Sequence, residues 1–198
     1  MNFYDIHTHS AHPDIGFVAL HPWNVTADNA RQLLSALRNE ATSPDVLAIG
    51  EAGLDKRCST PYDLQLQVFR EVVSIARQVH KPLIIHCVKA SNDIIVLRKE
   101  MRCDNPWIIH GFRGNPHIAQ SLLAAGCYLS FGERYNPEAL RGTPLQRMFI
   151  ETDTSPLPIS QIYARIADTR QIPLAALVRQ VQDNVHSVFL SHHGSSIG

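Results

Sequence analysis

Short apolar runs alternate along the chain with longer segments in which apolar residues recur at helical spacing, the pattern of parallel strands joined by crossover helices. Seven strands are predicted, near residues 3–9, 17–21, 46–51, 83–87, 107–111, 128–131 and 148–152, each running into a polar or glycine-containing turn. The clearest helix spans 61–79, where Leu64, Val68, Val72, Ile75 and Ala76 mark one face, Thr60 is placed to cap the start and Pro61 suits the first position. Further helices are predicted over 27–40, 91–101, 116–125 with Gly126 as its stop, 160–169 and 174–190. Residues 1–190 read as a single domain, and 191–198, small and polar with an incidental His pair, as a loose tail. Repeated strand-helix units fit a closed barrel or an open doubly wound sheet. No Gly-x-Gly-x-x-Gly follows a strand and no phosphate loop is present, which favours a barrel.

Composition narrows the function. The 198 residues are 44% hydrophobic, enough to bury a core, and 18 basic side chains balance 18 acidic ones, so no global field draws the chain to a polyanion or a membrane. Apolar runs stop far short of the roughly 20 residues that span a bilayer. The opening residues lack the pattern of a secretory signal and the four cysteines show no framework spacing, so a cytoplasmic protein is expected. The 11 histidines stand out, because imidazole is the commonest metal ligand and several sit beside carboxylates in apolar runs.

Asp5-Ile6-His7-Thr8-His9 puts Asp5, His7 and His9 on one face of the first strand, where two imidazoles can chelate one ion. Glu51 follows an apolar strand and precedes a glycine turn; a carboxylate there is able to bridge two cations. His86 and His110 each end a fully apolar strand, a repeated placement that aims both into one space. Asp153 ends the last strand, positioned to bind metal and shuttle a proton, with Glu151 two residues earlier as its partner or competitor. All six ligand candidates lie at C-terminal strand ends, where barrel enzymes build their sites, and together they point to metal-assisted hydrolysis.

In this order and spacing the residues resemble the TatD family of metal-dependent hydrolases, amidohydrolase-like barrels. The family's Asp-x-His-x-His is similar to Asp5–His9, its His-Pro turn to His21-Pro22, its Gly-Glu-x-Gly-Leu-Asp to Gly50–Asp55, and its helical Gln and Phe to Gln67 and Phe69. Its Pro-x-x-x-His strand resembles Pro82–His86, its His-x-Phe-x-Gly resembles His110–Gly114, and Glu151-Thr152-Asp153 with Pro156 and Asn184 with Phe189 complete the likeness over about residues 3–190. The resemblance implies a TIM-barrel-like α/β fold and two divalent ions (Zn, Mn or Mg), one held by His7, His9, Glu51 and Asp153, the other by Glu51, His86 and His110. It implies a deoxyribonuclease that hydrolyses DNA or another phosphoester.

Two departures shape the expectation. Only 11 residues separate His9 from His21, where the family places a helix, a strand and another helix, so one strand-helix unit is missing and a homodimer that covers an open strand edge is expected. The family's His-Ser-Arg-Asp stands here as His86-Cys87-Val88-Lys89, so the phosphate-contacting Arg is gone, and Lys89, Arg113 or Arg134, with Lys56 and Arg57, are left to form a basic rim. Trp23, Phe112 and Tyr135 follow strand ends, where aromatics stack on bases or pack as a lid. A hydrolase of a small ester, lactone or amide, and a metal-binding relative without turnover, are the alternatives.

Overall fold

The computed structural model describes residues 2–9 and 14–191. The chain forms two compact units, residues 16–108 and residues 1–15 with 109–198, and strands alternate with helices through both in an α/β arrangement.

Residues 16–108 comprise β1 (Phe17–Leu20), α1 (Ala30–Glu40), β2 (Ala48–Asp55), α2 (Tyr62–Gln78), β3 (Leu83–Val88), α3 (Ser91–Met101) and most of β4 (Trp107–Ile109). β2 pairs in parallel with β1 on one side and β3 on the other, and every residue of it is buried, as expected of a parallel strand whose two faces are both covered. It also runs on to Asp55, so Glu51 lies mid-strand and not at the strand end that its sequence suggests. Between Ile49 and Ala52 the strand carries one residue more than β1 or β3 opposite it, a bulge that re-aims the Glu51 carboxylate. The glycines around it do not make a turn. A Cβ on Gly50 would overlap the Ile84 carbonyl oxygen and one on Gly53 the His86 carbonyl oxygen, so both are required by the closeness of β3.

The expected Thr60 cap of α2 is absent. Its hydroxyl donates instead to the carbonyls of Pro22 (2.8 Å) and Val25 (3.2 Å), tying down the turn after β1, and Pro61 occupies the N-cap position. At the other end of the unit, the buried Lys81 ammonium donates to the carbonyls of Ala41 (2.5 Å) and Ser43 (2.8 Å) just past α1. Burial lowers its pKa. α1 begins at Ala30, three residues later than its apolar spacing predicts, because Thr26 and Asn29 bond each other's backbone in a turn ahead of it.

The second unit holds α4 (Pro116–Ala124), β5 (Tyr128–Phe131), α5 (Pro137–Gly142), β6 (Met148–Ile150), α6 (Ile159–Arg170) and α7 (Leu174–Val185), which ends in a π-helical turn over His186–Leu190. β5 and β6 pair in parallel. The predicted strand over 3–9 is not regular: it lies along β6 through Ile6 N to Ile150 O (3.3 Å), Asp153 N to His7 O (2.9 Å) and His9 N to Asp153 O (3.1 Å), with a single bridge at Thr8. The partner dictates this, since Asp153 has φ of 53° and cannot extend the ladder. α5 is too short for a periodic signal, although Asn136 caps it and Pro137 opens it as sequence rules allow. Asn184 donates to the carbonyls of Leu145 (2.7 Å) and Met148 (2.8 Å), fastening α7 to the entry of β6. Of the expected tail, residues 192–198 lie outside the described residues.

Candidate metal centre

Each unit gathers histidines and carboxylates into a cluster whose ligating atoms lie within 4.8 Å of one another. In residues 16–108 the cluster is His21, Glu51 and His86. The bulge presents Glu51 Oε1 to His86 Nδ1 at 2.6 Å and to His21 Nε2 at 3.1 Å, and His21 stands 3.3 Å from His86 Nδ1. The other nitrogen of His86, Nε2, faces Asp55 Oδ2 at 3.2 Å. That same oxygen accepts the Trp23 indole N–H (2.7 Å), while Oδ1 accepts the backbone N–H of Arg57 (2.7 Å). Burial pushes the Asp55 carboxyl up, but the bonds from Trp23, Arg57 and His86 outweigh it and hold the pKa below the usual range. Asp55 is thus an ionised carboxylate that fixes the ring of a candidate ligand, the arrangement that tunes metal-bound histidines.

In the second unit the cluster is His7, His9 and Asp153. Asp153 Oδ1 lies 3.4 Å from His9 Nε2 and 4.0 Å from His7 Nε2, and Arg113 approaches Oδ2 at 4.0 Å. His110 packs its ring edge-on against His7, with centroids 4.6 Å apart. Glu151 sits behind it, fully buried, its Oε1 accepting the Gly111 N–H (2.6 Å) and facing His110 Nδ1 (3.3 Å). Burial raises the Glu151 carboxyl, yet the bond to His110 and the charges of His110 and His7 hold it low. Because β6 ends at Ile150, Glu151 and Asp153 do not share a face as a regular strand would require: Glu151 serves His110, and Asp153 the His7–His9 pair. Asp5 accepts from the Thr152 N–H (3.0 Å) and hydroxyl (2.6 Å), so it holds the loop that carries Asp153. Burial pushes its pKa to about 6. A cavity of about 190 Å³ opens beside this cluster, lined by Arg113, Arg134, Glu133, Asp153 and Ser155 among others.

The basic rim is thinner than its sequence suggests. Lys56 is paired with Asp93 at 2.6 Å, and Lys89 is exposed on a left-handed residue after β3. Among the expected stacking aromatics, Phe112 is buried against Phe131 and the Tyr135 hydroxyl is bonded to Thr169, which leaves Trp23 as the exposed one. Two residues of this architecture lie outside the set that the sequence predicts. His21, a histidine after an apolar strand and before proline, is expected from sequence to form a turn alone. Gln65, not the exposed Gln67, is the helical glutamine with a buried role: it accepts the Asp55 N–H (2.7 Å) and donates to the Asp55 (3.0 Å) and Thr60 (2.8 Å) carbonyls.

Imidazole nitrogens and carboxylate oxygens gathered this closely are able to hold a divalent metal ion. Comparison with known proteins agrees. Residues 6–190 match the family described as TatD related DNase. An uncharacterized metal-dependent hydrolase of Bacillus subtilis, YabD, is 26% identical over 82% of this chain and 72% of its own length. The human 3'-5' RNA nuclease TATDN2 is 35% identical over 62% of this chain, which spans 17% of that longer protein. The crystal structure of YJJV, a TatD homologue from Escherichia coli, superimposes with a TM-score of 0.77 at 20% identity, covering 88% of this chain and 76% of that one, and so shares the fold. Match, fold and ligand chemistry converge, and the chain belongs to the TatD-related DNase family of metal-dependent hydrolases.

Proposed function

We propose that the protein is a divalent-metal-dependent phosphodiesterase acting on DNA, with one ion at His7, His9 and Asp153, a second at His21, Glu51 and His86, and His110 as a further ligand. The observation that carries this reading is that both units build a compact imidazole–carboxylate cluster, with buried Asp55 orienting His86 within the first and buried Glu151 orienting His110 beside the second. Divalent cations held by these residues would supply a nucleophilic water and polarise the phosphodiester. Asp153 is 20% exposed, reaches the cavity and is the group placed to take and return a proton. Glu51, nearly buried, neutralises charge at its cluster and orients His21 and His86. Arg113 and Arg134 line the cavity and hold substrate phosphate there, a task left open by Val88, and Lys89 lends charge after β3.

The test is metal content per chain by elemental analysis of protein purified without chelator, followed by cleavage of single- and double-stranded DNA with Zn, Mn or Mg. Near two ions per chain, fewer in Glu51→Gln and in Asp153→Asn, with chelator-sensitive cleavage, is the expected result. No bound metal after reconstitution, or cleavage indifferent to chelator, overturns the reading.

A further inference from the structure

Trp23 combines three features that a packing residue does not need together. It is 61% exposed, and the other exposed large apolar side chain among the described residues is Val96 of α3, at 50%. It is nonetheless rigid: its backbone N–H donates to His21 Nδ1 (3.2 Å), the Thr60 hydroxyl grips the carbonyls of Pro22 and Val25 on either side, and the indole N–H is anchored to Asp55. It also stands against the cluster, with ring centroids 4.8 Å from His21 and 5.8 Å from His86. The Asp55 oxygen that holds the indole is the one that faces His86, so the position of the ring is referenced to a candidate ligand by a single carboxylate.

We infer that Trp23 is a stacking platform for an unpaired nucleobase, the base of the nucleotide whose phosphate is held at the His21–Glu51–His86 cluster. The inference rests on the nuclease reading and names its substrate class: single-stranded DNA, or a frayed end. A large π face pre-set at low entropic cost takes any base, because every base has one, whereas a paired base inside a duplex has both faces covered by its neighbours. Trp23 is on this account a positioning residue. It places the strand and takes no part in proton transfer.

The experiment compares wild type, Trp23→Ala and Trp23→Phe on single-stranded DNA and on the same strand with an abasic nucleotide at the cleaved position. Trp23→Ala is expected to raise KM roughly 5- to 150-fold, the factor that corresponds to base–aromatic stacking, with little change in kcat. Trp23→Phe, which keeps a ring but loses the bond to Asp55, recovers most of it. The abasic nucleotide costs wild type a similar factor and costs Trp23→Ala nothing further, a non-additivity that a purely structural role would not produce. Equal discrimination between the two strands by wild type and Trp23→Ala overturns the inference while leaving the nuclease reading intact. If wild type cleaves no nucleic acid, that reading fails separately, and intrinsic fluorescence decides: Trp107 is fully buried, so accessible emission comes from Trp23. Quenching by the single strand that vanishes with the abasic strand sustains the platform, and no quenching overturns it.

Discussion

Replacing Asp55 with Asn separates metal affinity from folding in a way the structure quantifies. Two carboxylate oxygens accept from three donors: Trp23 Nε1 and His86 Nε2 on Oδ2, and the Arg57 N–H on Oδ1. An asparagine has one acceptor oxygen, so either Arg57 or the Trp23–His86 pair meets an amide N–H instead of a lone pair. A donor left unsatisfied in a largely buried setting costs about 1–3 kcal/mol. For a chain near 200 residues each kcal/mol lowers Tm by about 2–4 °C. The consequence for metal is of another kind. With Nε2–H fixed by Asp55, the nitrogen of His86 left to bind a cation is Nδ1, the one that faces Glu51. Loss of a carboxylate that orients a ligating histidine weakens metal binding by about 10- to 100-fold. Competition of the loaded protein against a chelator of known affinity measures that factor, and scanning calorimetry of the metal-free protein measures the stability cost. Reduced Tm with wild-type metal affinity would refute the argument, because it would make Asp55 a structural acceptor with no hold on the ligand.

Asp5→Asn flattens the pH dependence of the metal-free protein. Burial raises the Asp5 pKa to about 6 in the fold, so its favourable contribution is fully present below the ordinary 3.8 and is lost as pH rises through about 6. Denaturant unfolding between pH 4 and 7 detects this, and identical slopes for wild type and variant would contradict it. Asn184→Ala strips the carbonyls of Leu145 and Met148 of their donor and is expected to cost about 2–4 kcal/mol in urea unfolding, without altering metal content. Gly53→Ala forces a methyl into the His86 carbonyl and is expected to destabilise by more than about 3 kcal/mol; a soluble variant with wild-type Tm would show that β2 and β3 part freely.

Most of the strands and helices were legible because β2 and β3 are near-continuous apolar runs and α2 repeats its buried positions at helical spacing. The ligand candidates were legible for a related reason: histidine at the end of an apolar strand is costly without a partner, so its presence advertises one. What escaped the sequence was set by contacts distant along the chain. The bulge that puts Glu51 mid-strand depends on the register of β1 and β3. The irregular course of residues 5–9 follows from the left-handed Asp153, some 145 residues away in sequence, and the Thr60 hydroxyl chose Pro22 and Val25 over the helix it precedes.

The Lys81 ammonium sets a rule for variation in this chain. Its charge is tolerated in the interior because the carbonyls at Ala41 and Ser43 arrive at one point, which requires α1 to end where it does and the link from Ala41 to β2 to keep its length. Surface connections usually absorb insertions at small cost. This one does not, since an added residue would carry the carbonyls away and strand a cation without acceptors. Inserted residues should therefore be accepted at the 41–43 corner only together with a neutral side chain at position 81, a coupling between loop length and charge that a library varying both would expose.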